Sequence, residues 1–302
     1  MQNNTETIAK QGQRSNCLRA KNSFLKGRAK PPLIFTDLDG SLLDHENYSF
    51  AKAGPALRLI TAKSIPLIIN SSKTKAEILE IRSLLHNEHP FVVENGAAIF
   101  IPQDYFPGYT QSPLSCILLG ASRSELLEVL KELRARYSFA FESFSDMGPA
   151  KIADVTGLTL KQATMANDRM GSEPLSWLGD DKSLAEFKKL LAKKHLSLVE
   201  GGRFWHVMGQ VDKAEAMRWL QKQFQKAGSV DYLSIALGDS ENDRRMLESA
   251  DVAVVIKNCT GKHLALKEQG RQVIYTESPG AKGWNESIVQ LFGGTKLEHK
   301  HE

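Results

Sequence analysis

The sequence lacks long apolar runs and contains few cysteines. No uninterrupted apolar stretch approaches the roughly 18 residues that a membrane-spanning helix needs. The three cysteines, Cys17, Cys116 and Cys259, are odd in number, widely separated and without the spacing of metal ligands. Free thiols of this kind are typical of proteins kept in a reducing compartment. These absences predict a cytoplasmic protein that has no membrane as a partner.

The chain also has little net charge. Its formal charge at pH 7 is +4, and the first thirty residues contain seven basic residues and one acidic residue. This segment has few apolar residues, which predicts a disordered basic leader over residues 1–30. A basic arm could contact an anionic surface, but a functionally neutral extension is favoured. Because the remainder is nearly neutral, we expect no nucleic-acid partner.

Two carboxylates follow a short apolar run just after the leader. Pro31-Pro32 precede Leu33–Phe35, a run that suits a buried parallel strand. Asp37 and Asp39 come next, at the strand end where open α/β sheets bind ligands, and Gly40 turns the chain. Two close carboxylates repel each other unless a cation lies between them, and Mg²⁺ prefers such oxygen ligands. The pattern favours a metal-dependent phosphate site, although an ordinary strand-to-loop turn uses the same residue types.

Three further segments, in order along the chain, place polar residues beside predicted strands or helices. Ser71 follows the apolar run Leu67–Ile69, Lys213 precedes a helical stretch, and Asp239 opens an acidic segment after Leu233–Leu237. Together with the first segment, they resemble the four motifs of the haloacid dehalogenase (HAD) superfamily of phosphohydrolases. The resemblance implies a Rossmann-like core with a parallel sheet.

The resemblance also implies a role for each core residue. Asp37 would be the nucleophile that forms an aspartyl-phosphate, and Asp39 would act as general acid and then as general base. Ser71 would donate a hydrogen bond to a phosphate oxygen. Lys213 would neutralise the phosphate charge as a compact cation.

The same resemblance implies a Mg²⁺ cofactor. Its ligands would come from Asp37, Asp39 and Asp239, with Asp39 contributing its backbone carbonyl. Asn242 and Asp243 would orient the neighbouring lysine and the metal-bound water.

The alternation of segments and the length of the chain predict an α/β fold with two domains. Strand-like and helix-like segments alternate along the sequence, and a length of 302 residues favours about two domains. A long segment separates the second motif from the third, where the resemblance implies an inserted α/β cap domain of the C2 type. The predicted divisions are a HAD core over 31–110 and 209–292, a cap over 111–208, and a C-terminal tail over 293–302.

Four shorter segments narrow the resemblance to the mannosyl-3-phosphoglycerate phosphatase family. They are Asn70–Thr74, Val93–Ala97, Arg169 with Ser172–Pro174, and Gly201–His206. This family usually carries an acidic residue directly after the arginine, whereas this chain has Met170 there.

The narrower resemblance implies a set of substrate-binding residues: Ser72, Asn95, Arg169, Ser172 and Glu173. Arg169 would bind a carboxylate through two parallel hydrogen bonds. Glu173 and Asn95 would bind sugar hydroxyls. His206 is expected to be structural, because the core motifs already supply every acid and base.

We therefore expect a Mg²⁺-dependent phosphomonoesterase that converts mannosyl-3-phosphoglycerate to mannosylglycerate and phosphate. Its partner would be this small phosphorylated sugar derivative, and the protein would be a monomer or a dimer. Two other enzymes fit less well: a broad sugar phosphatase acting on hexose phosphates or on the glucosyl analogue, and a phosphomutase. From another class, a non-catalytic sugar-phosphate sensor on the same fold would need none of the nucleophile chemistry.

Overall fold

The computed structural model describes residues 30–201, 203–267 and 270–293. The predicted disordered leader over 1–30 and the predicted tail over 293–302 lie outside these residues, except for Lys30 and Gly293. Two compact units make up the described chain: the first comprises residues 30–69, 105–108 and 218–293, and the second comprises 70–104 and 109–217. The predicted domain boundaries at 110 and 208 stay a prediction. No helix of the described residues is long and apolar enough to cross a membrane.

The described residues form twelve strands and nine α-helices. The strands are β1 (Pro32–Thr36), β2 (Leu67–Asn70), β3 (Phe91–Val93), β4 (Ala98–Pro102), β5 (Leu114–Leu118), β6 (Phe141–Ser143), β7 (Ser172–Trp177), β8 (Leu196–Glu200), β9 (Trp205–Gly209), β10 (Leu233–Gly238), β11 (Val252–Lys257) and β12 (Gln272–Pro279). The helices are α1 (Gly54–Ala62), α2 (Lys75–Leu85), α3 (Arg123–Tyr137), α4 (Phe144–Thr156), α5 (Leu160–Asn167), α6 (Asp181–Lys193), α7 (Lys213–Gly228), α8 (Arg244–Ser249) and α9 (Gly280–Phe292).

The first unit is built on parallel strands in the order β12-β11-β10-β1-β2. The central strand β1 is fully buried, as its continuous apolar run Leu33–Phe35 predicts for a strand covered on both faces. Thr36 pairs with Leu237 on one side and with Ile69 on the other. The three strands therefore end at the same edge of the sheet. This confirms the predicted α/β core with a mostly parallel sheet.

The second unit departs from the parallel pattern. Strands β3, β4 and β5 form antiparallel pairs, with Val93 opposite Ala98 and Ile101 opposite Ser115. The tight turn Glu94–Gly96 reverses the chain between β3 and β4, which permits only antiparallel pairing, because parallel neighbours need a long crossover.

A four-stranded antiparallel sheet in the order β6-β7-β9-β8 also belongs to the second unit. One of its faces packs against α3 and α6. On α3, Leu126, Leu130 and Leu133 recur at the spacing of one helical face and are buried with Phe187 of α6. The strands contribute Leu175 and neighbouring apolar residues to the same core. This α/β layer extends over residues 123–209 and overlaps the range of 111–208 predicted for the cap.

A buried chain of hydrogen bonds fixes the end of β1. The indole Nε1 of Trp284 donates to Thr36 Oγ1 at 3.0 Å, and this hydroxyl donates to the backbone oxygen of Asp37 at 2.8 Å. Trp284 is fully buried in α9, which packs on α1 and β12. The last helix of the described chain thus holds the first acidic residue after β1.

Replacing Trp284 by Phe should destabilise the protein. The change removes the indole donor and leaves a small cavity, which together should lower the free energy of unfolding by about 2–4 kcal/mol. Urea denaturation measures this loss. The control is Trp219→Phe, which changes a partly buried indole that has no side-chain hydrogen bond to the described residues. The control should lose under about 1 kcal/mol, and equal losses would contradict the role given to Trp284.

Candidate active site

Three carboxylates converge where β1 and β10 end. Asp37 follows β1, while Asp239 and Asp243 belong to the segment after β10, and one oxygen of each lies within 4.8 Å of the others. Asp37 and Asp243 are buried, and Asp239 is partly exposed. Buried negative charges this close repel one another strongly, and a divalent cation removes that repulsion. A donor set made only of carboxylate oxygens fits a hard ion such as Mg²⁺.

The segment after β10 is closed by Asp243. Its Oδ2 accepts hydrogen bonds from the backbone nitrogens of Asp239 and Ser240, at 3.1 and 3.2 Å, and from Ser240 Oγ at 3.2 Å. Ser240 Oγ lies 2.6 Å from Asn242 Oδ1. The sequence predicts an orienting role for Asp243. The structure also brings its carboxylate into the cluster itself, which the sequence analysis missed.

The turn after β1 approaches Asp239 closely. Gly40 has a φ of +76°, and a Cβ placed on it would lie 2.6 Å from Asp239 Oδ2. The neighbouring Ser41 Oγ is 3.3 Å from Asp239 Oδ1. Glycine is therefore required here both for its backbone conformation and for space. Asp39, in the same turn, is half-buried and bridges to Leu43, and its carboxylate lies outside the three-residue cluster.

The second unit contains Ser71 and Lys213. Both are fully buried. The Ser71 amide donates to Val92 O at 3.2 Å, and the Ser71 carbonyl accepts from the Asn95 amide at 3.0 Å. The side chain of Asn70 donates to the backbone oxygen of Lys213 at 2.9 Å, so the residue before Ser71 holds the first residue of α7. The predicted substrate residue Ser72 is half-buried in the connection between β2 and α2.

The turn between β3 and β4 also contacts the start of α7. Glu94, Asn95 and Gly96 have φ values of +51°, +58° and +99°. A Cβ on Gly96 would lie 2.2 Å from the backbone oxygen of Asp212, the residue that precedes α7. Asparagine-glycine pairs signal such turns in a sequence, but the long-range contact has no local signal.

The predicted substrate residues Arg169 and Ser172 are hydrogen-bonded to each other. Arg169 Nη1 donates to Ser172 Oγ at 2.8 Å, and Arg169 Nε donates to Ala166 O at 3.0 Å. Ser172 Oγ donates to Glu94 Oε2 at 2.6 Å. Within the described part of the chain, no carboxylate forms an ion pair with Arg169. The carboxylate of Glu94 is linked to Arg169 only through the hydroxyl of Ser172.

Both carboxylate oxygens of Glu94 accept hydrogen bonds from residues 170–172. Glu94 is buried and accepts from the backbone nitrogens of Met170 and Gly171, at 3.0 and 3.2 Å, besides the bond from Ser172. Gly171 itself packs closely, because a Cβ there would lie 2.7 Å from that of Ala97. The chain that leads from α5 into β7 is thus bound to the turn after β3.

Glu173 is fully buried and bonded to protein groups. It accepts from Arg123 Nε at 2.7 Å and from the backbone and hydroxyl of Ser145 at 2.7 and 2.8 Å. Arg123 in turn donates to the backbone and side-chain oxygens of Asn167 at 2.6 and 2.8 Å. The predicted binding of sugar hydroxyls by Glu173 stays a prediction. The observed bonds hold the end of α5, two residues before Arg169. No local pattern in the sequence predicts this network.

Comparisons with known proteins match two families of hydrolases. Residues 34–147 match the haloacid dehalogenase-like hydrolases, and residues 185–291 match sucrose-6F-phosphate phosphohydrolase.

Two curated proteins are similar over most of the chain. Both are named glucosyl-3-phosphoglycerate/mannosyl-3-phosphoglycerate phosphatase. The protein from Persephonella marina is 38% identical over 265 residues, which is 86% of this chain and 96% of the relative. The protein from Methanococcoides burtonii is 36% identical over 269 residues, which is 86% of this chain and 97% of the relative.

Solved structures share the fold at low sequence identity. A HAD-superfamily phosphatase from Bacteroides thetaiotaomicron has a TM-score of 0.61 at 18% identity, covering 90% of this chain and 99% of its own. A sugar phosphatase of HAD subclass IIB has a TM-score of 0.56 at 16% identity, with coverages of 87% and 99%. Sucrose-phosphatase from Synechocystis has a TM-score of 0.52 at 13% identity, with coverages of 87% and 98%.

Gly96 lies so close to Asp212 that adding one methyl group to Gly96 should destabilise the protein. In Gly96→Ala the new Cβ meets a backbone oxygen, so one of the two segments must shift, in addition to the strain of a positive φ. We expect a loss of about 3–5 kcal/mol in the free energy of unfolding, measured by urea denaturation. The control is Gly108→Ala, where φ is +91° and no atom lies within 4 Å of the added Cβ. It should lose about 1–3 kcal/mol, and equal losses would contradict the steric contact.

Proposed function

The chain belongs to the glucosyl-3-phosphoglycerate/mannosyl-3-phosphoglycerate phosphatase family of haloacid dehalogenase-like hydrolases, and we propose that it hydrolyses mannosyl-3-phosphoglycerate to mannosylglycerate and phosphate. The observation that carries the proposal is the cluster of Asp37, Asp239 and Asp243 within 4.8 Å of one another. Such a cluster could hold a divalent cation, and metal-assisted phosphoryl transfer uses one. The names of the curated relatives support the substrate class, and they make the glucosyl analogue the second substrate to test.

Asp37 begins the proposed reaction as a nucleophile. Its carboxylate oxygen bonds to phosphorus while the bond between phosphorus and the glycerate oxygen breaks. Asp39 gives a proton to this leaving oxygen, which becomes a hydroxyl of mannosylglycerate. Asp39 then accepts a proton from water as the water attacks the aspartyl-phosphate. Phosphate leaves, and the carboxylate of Asp37 is restored.

The proposed metal ligands are Asp37, Asp39 and Asp239, with Asp39 using its backbone carbonyl. Mg²⁺ bound there would neutralise the carboxylates and the phosphoryl oxygens. Asp243 accepts three hydrogen bonds at Oδ2, so it fixes the loop that presents Asp239.

Ser71 and Lys213 complete the proposed catalytic set. Ser71 would donate its hydroxyl proton to a phosphoryl oxygen, and Lys213 would supply a positive charge. Lys213 is fully buried, and a buried ammonium is stable only with anionic or polar partners. The hydrogen bond from Asn70 to the backbone of Lys213 supports this assignment, because it links two of the motifs in one place.

Arg169 is the proposed site for the glycerate carboxylate. Its guanidinium has no direct ion pair among the described residues, so a substrate carboxylate would be its first direct anionic partner. Asn95, Ser72 and Ser172 are proposed as further substrate contacts. Glu173 is proposed to support Arg169 indirectly, since it holds Arg123 and Arg123 holds the end of α5.

The test is phosphate release from a panel of substrates. The panel contains mannosyl-3-phosphoglycerate, glucosyl-3-phosphoglycerate, mannose and glucose phosphates, and 3-phosphoglycerate, each with Mg²⁺ and with chelator. If the protein recognises the sugar, the glycerate and the phosphate together, mannosyl-3-phosphoglycerate should be preferred over the other compounds by about a hundredfold in kcat/KM. This preference corresponds to about 2.7 kcal/mol of transition-state binding. Chelation should abolish activity, and added Mg²⁺ should restore it.

The other outcomes separate the alternatives. Flat Mg²⁺-dependent activity would favour a broad sugar phosphatase, an option supported by the match of residues 185–291 to sucrose-6F-phosphate phosphohydrolase. Binding without turnover of any compound would favour the sensor and contradict the proposed enzyme.

Asp37→Asn should abolish turnover, because an amide is a poor nucleophile. We expect kcat to fall by at least about a thousandfold while the protein stays folded, measured by phosphate release and circular dichroism. The matched control is Asp231→Asn, which changes an exposed aspartate paired with Lys30. Substantial activity in Asp37→Asn would exclude the aspartyl-phosphate route.

Glu173→Gln should act through Arg123 rather than on the chemistry. The substitution removes the charge that pairs with Arg123 and places amide hydrogens beside existing donors. We expect KM for mannosyl-3-phosphoglycerate to rise by about 10-fold to 100-fold, with a smaller change in kcat. Glu142→Gln, which alters the surface pair with Lys151, is the control. A fall in kcat alone would contradict this positioning role.

A further inference from the structure

One face of the four-stranded sheet β6-β7-β9-β8 is not covered by α3 and α6. Because side chains alternate along a strand, the neighbours of the buried Leu175 and Val207 point away from that core. His206 is one of these residues, and in the register of the sheet it lies between Pro174 of β7 and Val199 of β8. Ser172, further along β7, shares this face.

His206 has an unused nitrogen. Its Nδ1 is buried and has no hydrogen-bond partner among the described residues. The opposite side of the ring lies against Gly201, where a Cβ would come within 2.7 Å of Nε2. A buried polar atom without a partner typically costs about 1–3 kcal/mol, which calls for an explanation. A ligand atom that completes this hydrogen bond is one such explanation.

The electrostatic surroundings of His206 keep it neutral. Burial, and secondarily the positive charge of Arg169, lower the pKa of His206 to about 3. Its register neighbours Pro174 and Val199 are uncharged, and no other charged group of the described chain contributes to this shift. The neutral imidazole shares a sheet face with Ser172, which accepts a hydrogen bond from the guanidinium of Arg169.

These two groups have complementary needs. Arg169 uses Nε and Nη1 in bonds to Ala166 O and Ser172 Oγ, which fixes the plane of its guanidinium. Its charge attracts an anion, and the imidazole can donate one hydrogen bond to an anion's oxygen. A carboxylate satisfies both groups at once, whereas an uncharged hydroxyl forms no ion pair with Arg169.

We propose that His206 is a specificity-determining residue that donates a hydrogen bond to the substrate carboxylate bound by Arg169. This inference rests on the proposed function, since it identifies the second group of the carboxylate subsite. The sequence alone predicts a structural role for His206. The proposal predicts a sign: a bound carboxylate favours the protonated imidazole, so the pKa of His206 rises on binding.

Nuclear magnetic resonance of ¹³C-labelled histidine tests the inference without relying on turnover. The chain has eight histidines, and the His206 signal is identified by its loss in His206→Gln. In the free protein this signal should not titrate between about pH 8 and pH 5, because its pKa lies near 3. At constant pH, saturating mannosylglycerate should change the chemical shift of this signal, because Nδ1 then donates a hydrogen bond, whereas its uncharged methyl ester should change it much less.

Kinetics supply an independent readout. His206→Phe keeps a ring of similar shape but removes both nitrogens, and KM for mannosyl-3-phosphoglycerate should rise by about 10-fold or more. His206→Gln restores a donor and should recover part of this loss, which a merely structural role would not produce. The control is His195→Asn, which changes an exposed histidine in the turn before β8.

The failures are distinguishable. No turnover of mannosyl-3-phosphoglycerate by the wild-type enzyme would overturn the proposed function, and the carboxylate subsite with it. Turnover with a His206 signal that is unmoved by mannosylglycerate would overturn this inference alone. An equal response to mannosylglycerate and its methyl ester would also overturn it, because the ester lacks the negative charge.

Discussion

Repulsion among three carboxylates is the constraint on which the first unit depends. Asp37, Asp239 and Asp243 lie within 4.8 Å of one another, two of them buried, and such an arrangement persists only when the surrounding structure enforces it. The parallel register aligns the ends of β1 and β10, and the backbone donors of the loop hold Asp243. Gly40 lets the next turn come close to Asp239. Hydrogen bonds and packing in the core thus hold the three carboxylates close together.

The second unit distributes its buried charges differently. Glu94 and Glu173 are both buried, yet each is bonded entirely to protein donors. Glu94 holds the start of β7, and Glu173, through Arg123, holds the end of α5. Arg169 lies between these two anchored points and keeps its own charge. Two acids therefore hold the chain on either side of Arg169.

Local patterns in the sequence predict the strands and the motif residues, whereas long-range contacts lie beyond them. The apolar runs at Leu33–Phe35 and Leu67–Ile69 predict buried strands, since composition and length suffice for that. The bond from Trp284 to Thr36 spans 248 residues of sequence, and neither residue type signals it. Likewise, the sequence around Arg123 is that of an ordinary helix. It contains no pattern that predicts the buried Glu173 beside it.

The residue after Arg169 connects these observations to substrate choice. The similar phosphatase family usually has an acid there, which could neutralise the guanidinium at short range. Here the residue is Met170, whose sulfur lies 3.9 Å from Cys116 Sγ, so it packs against β5. Arg169 has no direct ion pair among the described residues, and Glu94 is linked to it only through the hydroxyl of Ser172. Under the proposed function, a substrate carboxylate would therefore bind this guanidinium without first breaking a direct internal ion pair.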